Sequence, residues 1–200
     1  MLFDRGKCII DLMEDKLKIS GIKYWANFTW EILKIVIISL AIIIPIRYFL
    51  IQPFFVKGAS MDPNFYDGDY LIIDEISYRF SEPQRGEVVI FRYPLDPSQF
   101  FIKRIIGLPG ETVEIIEGEI FIYNENIPNG KIILDESEYL EDSYTPGNLK
   151  ITLEEDEYFV LGDNRLASSD SRRWGELNRK YITGRAWIRA WPFNRAGTIN

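Results

Sequence analysis

The apolar positions of this chain fall into two regimes. From Ile32 to Ile51 they run almost unbroken for twenty residues, and beyond Pro53 they split into short β-type runs. Twenty helical residues cover about 30 Å, the thickness of a bilayer's hydrocarbon core. The middle of the run, Ile35 to Ile46, holds no charge, while Lys34 and Arg47 stand near its ends, where long side chains reach headgroups. Trp25 and Trp30 before it, and Tyr48, Phe49, Phe54 and Phe55 after it, resemble interfacial aromatic belts. The pattern predicts one transmembrane helix over residues 32–51, kinked or ended near its exit by Pro45.

Two other readings fit an apolar stretch. A cleaved signal peptide carries an apolar core of about 7–15 residues near the start. This run is longer and begins after residue 30, although Gly58-Ala59-Ser60 has the small residues of a cleavage site. The core helix of a soluble domain is the third reading. Lys16, Lys18 and Lys23 precede the run, so the positive-inside rule predicts a cytoplasmic segment at 1–31 and an extracytoplasmic domain at 52–200. The mixed charge of residues 1–24 fits a short helix or disorder equally well.

After the span the hydrophobic period becomes that of strands. Tyr70–Ile73, Glu87–Arg92 and Phe100–Ile106 read as strands, as do Tyr158–Leu161 and Tyr181–Trp191. Thr112–Ile116 and Glu119–Tyr123 alternate about Glu117-Gly118 and predict a hairpin. Tight-turn signals such as Asp67-Gly68, Arg85-Gly86 and Leu108-Pro109-Gly110 separate the runs. The expected class is mainly β: an all-β, barrel-like or multi-sheet domain behind a single N-terminal helix. Residues 124–150, with the acidic run Asp135-Glu136-Ser137-Glu138, read as an excursion or small cap.

Composition narrows the function. A net charge of −7 and a pI near 4.8 argue against a nucleic-acid partner, whose phosphates require Lys/Arg clusters. The excess is uneven: residues 1–51 carry +2 and residues 52–200 carry −9. Cys8 is the only cysteine and there is no histidine, which excludes an internal disulfide and a zinc site of ordinary composition. Asp67-Gly68-Asp69 lacks the spacing and closing Glu of a calcium loop and reads as a turn. No cofactor or metal is expected.

The absence of histidine also constrains any catalytic serine. Ser60, in Gly58-Ala59-Ser60-Met61-Asp62-Pro63, has no imidazole to activate it, so a Ser-His-Asp triad is impossible. A lysine kept neutral by an apolar pocket is the remaining common base. Lys103 is flanked by Phe101, Ile102, Ile105 and Ile106, which suit that task. Each residue also has an ordinary explanation, a turn serine and an edge-strand lysine. Lys103 does not follow Ser60 at the three-residue spacing of penicillin-binding enzymes.

Four blocks occur in order: Gly58–Pro63, Arg85–Phe91, Lys103–Glu111 and Gly162–Gly175. Together with the preceding span they closely resemble bacterial type I signal peptidase, in its compact single-span form. The resemblance implies Ser60 as nucleophile, Lys103 as general base and Ser168 as the hydroxyl that orients the amine. It also implies supporting ion pairs between Asp170 and Arg172 and between Asp163 and Arg104, which read as architectural. Some members carry a serine two residues before the nucleophile as an oxyanion donor. Gly58 stands there in this chain, leaving backbone N–H groups, chiefly that of Ser60. Met61 is expected to line the substrate pocket.

The implied activity is a membrane-bound serine endopeptidase that removes signal peptides from secretory precursors beside the lipid surface. Two alternatives share parts of this pattern. One is a Ser/Lys autoprotease of the repressor-cleavage type, against which the span counts. The other is a non-catalytic membrane-tethered β-domain that binds extended peptides by strand addition.

Overall fold

The computed structural model describes residues 25, 27–44, 51–125 and 130–199. Helix α1 covers Asn27–Ile44, with a mean hydropathy of 1.9 and no buried residues. Lys16, Lys18, Lys23, Pro45 and Arg47 lie outside the described residues. Ile51, expected as the last residue of the span, instead opens strand β1 and pairs with Asp74.

The remainder is built from antiparallel strands. These are β1 (Ile51–Phe55), β2 (Tyr70–Asp74), β3 (Val88–Tyr93), β4 (Asp96–Gly107), β5 (Thr112–Ile116) and β6 (Glu119–Tyr123). They continue as β7 (Lys131–Ile133), β8 (Leu149–Thr152), β9 (Glu157–Leu161), β10 (Leu177–Asn178), β11 (Ile182–Trp191) and β12 (Gly197–Thr198). The larger sheet runs β1-β2-β11-β3-β4-β9-β10, with β12 added to β11, and the smaller runs β7-β6-β5-β8. The mainly β, multi-sheet expectation therefore holds.

Burial explains why the two sheets read differently in sequence. In the smaller sheet only alternate residues are buried, and Val113 faces Ile122 and Ile115 faces Ile120 across the hairpin. In β3, by contrast, Val88 and Ile90 enter one core with Met61, Phe65 and Leu71, while Val89 and Phe91 enter another with Ile105 and Tyr158. A strand covered on both faces is a continuous apolar run. β4 lies beside β3, with Lys103 opposite Val89 and Arg104 opposite Val88, so both charged residues sit in the middle of the larger sheet.

Within residues 124–150, read from sequence as an excursion or small cap, β7 and the first residues of β8 are edge strands of the smaller sheet. Glu136 of the acidic run is buried. It is 2% exposed and bonds the Arg165 guanidinium through both carboxylate oxygens, at 2.5 and 2.7 Å. Burial of a carboxylate is tolerated there because a buried cation meets it.

Candidate active site

β1 leads into a loop that returns at β2 and carries Ser60. The loop is closed at its neck by Val56 N–H to Asp69 O (2.9 Å) and Gly68 N–H to Val56 O (3.0 Å). Met61 and Phe65 anchor it in the core, at 0% and 2% exposure. Full burial of each contributes about 1.5–3 kcal/mol, enough to hold Ser60 on a fixed turn. Met61, expected to line the substrate pocket, lies one residue from Ser60 with its side chain packed in the core.

Lys103 Nζ lies 2.8 Å from Ser60 Oγ and 2.7 Å from Ile102 O. The side chain is 3% exposed and its Nζ lies 5.5 Å from the Phe101 ring centroid. Burial penalises the ammonium and pushes the Lys103 pKa down to about 8, against the pull of the Asp170 and Asp163 carboxylates. Ser60 and Lys103 open on a cleft of about 620 Å³ whose apolar wall includes Phe54, Phe55, Phe100, Phe101 and Ala167.

Gly58 also lines this cleft, but its N–H is taken by Asp67 Oδ1 at 2.7 Å. Its φ of +82° would strain any side chain there. The Ser60 N–H donates to no acceptor among the described residues and is a free backbone donor at the nucleophile itself.

The two expected ion pairs are formed; Arg104–Asp163 is buried, and Asp170 is buried with Arg172 partly exposed. Arg104 grips Asp163 through Nε (2.9 Å) and a terminal nitrogen (2.7 Å), while Asn64 Nδ2 donates to the same carboxylate at 2.8 Å. Tyr139 stacks over Arg104, its ring centroid 3.9 Å from the guanidinium carbon. Arg172 binds Asp170 bidentately, both bonds at 2.8 Å, and Gly162 N–H adds a third at 3.1 Å. Burial alone would raise the Asp170 carboxyl, but the bonds and charge of Arg172 hold it below the usual carboxylate range.

Ser168 departs from expectation. Its Oγ is buried without a well-formed hydrogen bond, although it lies beside Asp170. It turns instead toward Gly162, where an added Cβ would come within 2.2 Å of it and 2.4 Å of Ser60 O. The absent side chain at Gly162 thus lets Ser60 and Ser168 approach one another, and the second bond of the amine goes to Ile102 O.

Several residues escaped the sequence reading. Asn164 donates from its backbone to Ser60 O (3.1 Å) and from Nδ2 to Ala59 O (3.0 Å). Asn64 joins Asp163 to Tyr139 O, and Arg165 lies buried against Glu136 and Thr145. The dense polar run Gly162-Asp163-Asn164-Arg165 directly after an apolar strand was the available signal. Among the described residues no three Cys, Asp or Glu side chains converge on a metal-sized site.

Comparison with known proteins agrees with this arrangement. A family model described as signal peptidase, peptidase S26, matches residues 29–191. A probable signal peptidase I-2 of Synechocystis sp. is 38% identical over 178 residues, covering 86% of this chain and 78% of its own. A signal peptidase I of Leptolyngbya laminosa is 37% identical over 179 residues, covering 84% and 83%. One from Bacillus amyloliquefaciens is 31% identical over 186 residues, covering 90% and 94%. With the match running from within α1 to the end of β11, this chain belongs to the peptidase S26 family of signal peptidases.

Proposed function

We propose that this signal peptidase cuts its precursors with a Ser60/Lys103 dyad while anchored in the membrane by its N-terminal apolar helix. The observation that carries the reading is the 2.8 Å separation of Lys103 Nζ from Ser60 Oγ, in a chain without histidine. A lysine with a pKa of about 8 is roughly a tenth neutral at pH 7, against well under a thousandth for an exposed one.

The neutral amine accepts the Ser60 proton as Oγ attacks the scissile carbonyl carbon. The carbonyl oxygen becomes an oxyanion and takes the Ser60 N–H. Collapse breaks the C–N bond, Lys103 returns the proton to the leaving amine, and an acyl ester remains on Ser60. Lys103 then takes a proton from water, whose oxygen attacks the ester carbonyl, and returns that proton to Ser60 Oγ as the C–Oγ bond breaks, which frees the acid product, the serine and the neutral amine. The Asp163–Arg104 and Asp170–Arg172 pairs hold the walls of the site and touch no reacting atom.

The lysines at 16, 18 and 23 support a cytoplasmic N-terminus, with the catalytic domain on the other side. Ser60 follows the apolar run by only nine residues, so the chemistry belongs close to the membrane surface, where a precursor's apolar segment remains in lipid. The apolar cleft accepts an extended chain that presents alternate side chains to one wall. Small residues at the first and third positions before the cut follow from this reading. A repressor-type autoprotease has no use for the span.

The test is cleavage of a signal-peptide-bearing precursor by the full chain in detergent. Ser60→Ala is expected to fold normally and lose turnover by about 10⁴-fold or more. Full activity in that variant would refute the dyad.

A further inference from the structure

Within the Ser60/Lys103 reading, on which this inference rests, the oxyanion poses a problem. One backbone N–H, that of Ser60, must meet it, because Gly58 offers no side chain and its own N–H is held by Asp67. A single donor is useful only if its peptide plane is fixed before the charge develops.

We propose that Asn164 is the positioning residue that aims the Ser60 N–H into the cleft. Its Nδ2 donates to Ala59 O at 3.0 Å. That carbonyl and the Ser60 N–H belong to one peptide unit, which is trans, so the two groups point in opposite directions in one plane. Holding the carbonyl from behind therefore turns the N–H forward. Asn164 itself does not line the cleft, whereas Ala59, Ser60 and Lys103 do. Its backbone N–H also holds Ser60 O at 3.1 Å, which fixes the following peptide plane. The orientation of the carboxamide is determined as well. Ala167 N–H donates to its Oδ1 at 3.2 Å, so the oxygen faces Ala167 and only the amino group can face Ala59.

Asn164 thus acts through Ser60 and touches neither substrate nor Lys103. Loss of its Nδ2 bond leaves Ala59 O with only the longer 3.3 Å bond from Asp62 N–H and so loosens the 59–60 peptide, helped by the unhindered glycine at position 58. Turnover is expected to fall about 10- to 100-fold, less than the roughly 10²–10³ that follows removal of an oxyanion donor outright. Ground-state binding in the cleft is untouched.

The experiment compares wild type, Asn164→Ala and Asn164→Asp as full chains in detergent, with Ser60→Ala beside them. Asn164→Asp is nearly isosteric and keeps Oδ1 for Ala167, so it decides the matter if the alanine variant folds poorly. Four quantities are read: kcat and KM on one precursor, affinity for an uncleavable precursor peptide, and affinity for a peptide boronic acid. Ser60 Oγ adds to the boron of that inhibitor, its proton passing to Lys103, and the tetrahedral anion places an oxygen at the oxyanion position. Both variants should lose kcat with KM within about twofold, and lose boronate affinity by a similar factor. The uncleavable peptide should bind as to wild type, and in Asn164→Ala, which adds no charge, the pH midpoint of activity should not move. Normal kcat, unchanged boronate affinity, equal loss of peptide affinity, or failure of both variants to fold would each overturn the proposal. Activity in Ser60→Ala would instead remove the dyad beneath it, a result distinct from a normal Asn164 variant beside an inactive Ser60→Ala.

Discussion

Arginine in place of Lys103 should leave the protein without useful turnover, a fall of about 10⁴-fold or more, although the positive charge is retained. The amine at position 103 is 2.8 Å from Ser60 Oγ and, desolvated by its surroundings, sheds its proton near pH 8. A guanidinium stays protonated above pH 12 and cannot accept the serine proton. Lys103→Met removes the amine without the bulk of arginine and should be equally inactive. The methionine variant has a second signature. The folded-state pKa of Lys103 lies below its unfolded value of 10.5, so the buried ammonium destabilises the fold wherever both states are charged. That cost is fully present below about pH 8, is of the order of 3 kcal/mol, and fades as the pH rises toward 10.5. Urea unfolding should therefore find Lys103→Met more stable than wild type at neutral pH, with the gain shrinking in alkali. Substantial turnover in the arginine variant would deny Lys103 the role of base.

The largest effect on stability is expected at Arg104. Its Asp163 partner has a side chain with 0% exposure, and among the described residues only Asn64 Nδ2 bonds that carboxylate apart from Arg104. Arg104→Ala removes the counter-charge, the bond to Gly86 O and the stack on Tyr139. Stranding a buried carboxylate in this way costs about 3–5 kcal/mol. For a domain of this size each kcal/mol lowers Tm by about 2–4 °C, so the variant should melt about 10 °C early. Replacing both partners, Arg104→Met with Asp163→Leu, should recover most of that loss because no charge is left unpaired. Thermal unfolding followed by circular dichroism measures all three proteins. A single variant within about 1 kcal/mol of wild type would show that solvent reaches Asp163.

The elements that could be read from sequence are those with a local signal. β5 and β6 alternate apolar and polar residues about a two-residue turn, and their bounds match the expected ones. β3 and β9 are short apolar runs bounded by turns, because both of their faces are buried. β1 was hidden: its first residue continues the apolar run of the span, and Pro53 argues against a strand unless that strand is an edge, as it is here. Nothing local marks Glu136 as buried, because its partner Arg165 is 29 residues away. Adjacency to Ser60 does not say which way the Met61 side chain turns, and in the fold it packs in the core. No local pattern could bring Ser60 to Lys103, 43 residues on; only four ordered blocks, through their resemblance to a family, joined them. The same blocks carried Asn164 and Gly162 without assigning them a task. That task depends on which carbonyl and which hydroxyl stand opposite, and only the packed turn supplies this.

The pH dependence of kcat/KM on a signal-peptide-bearing precursor tests the central claim most directly, since it reports the free enzyme's essential base. The account predicts a limb that rises with pH to a midpoint near 8, set by the neutral Lys103 amine and abolished in Lys103→Arg at every pH. A limb centred near 10.4, the value of an exposed lysine, or activity independent of pH across the neutral range, would contradict it.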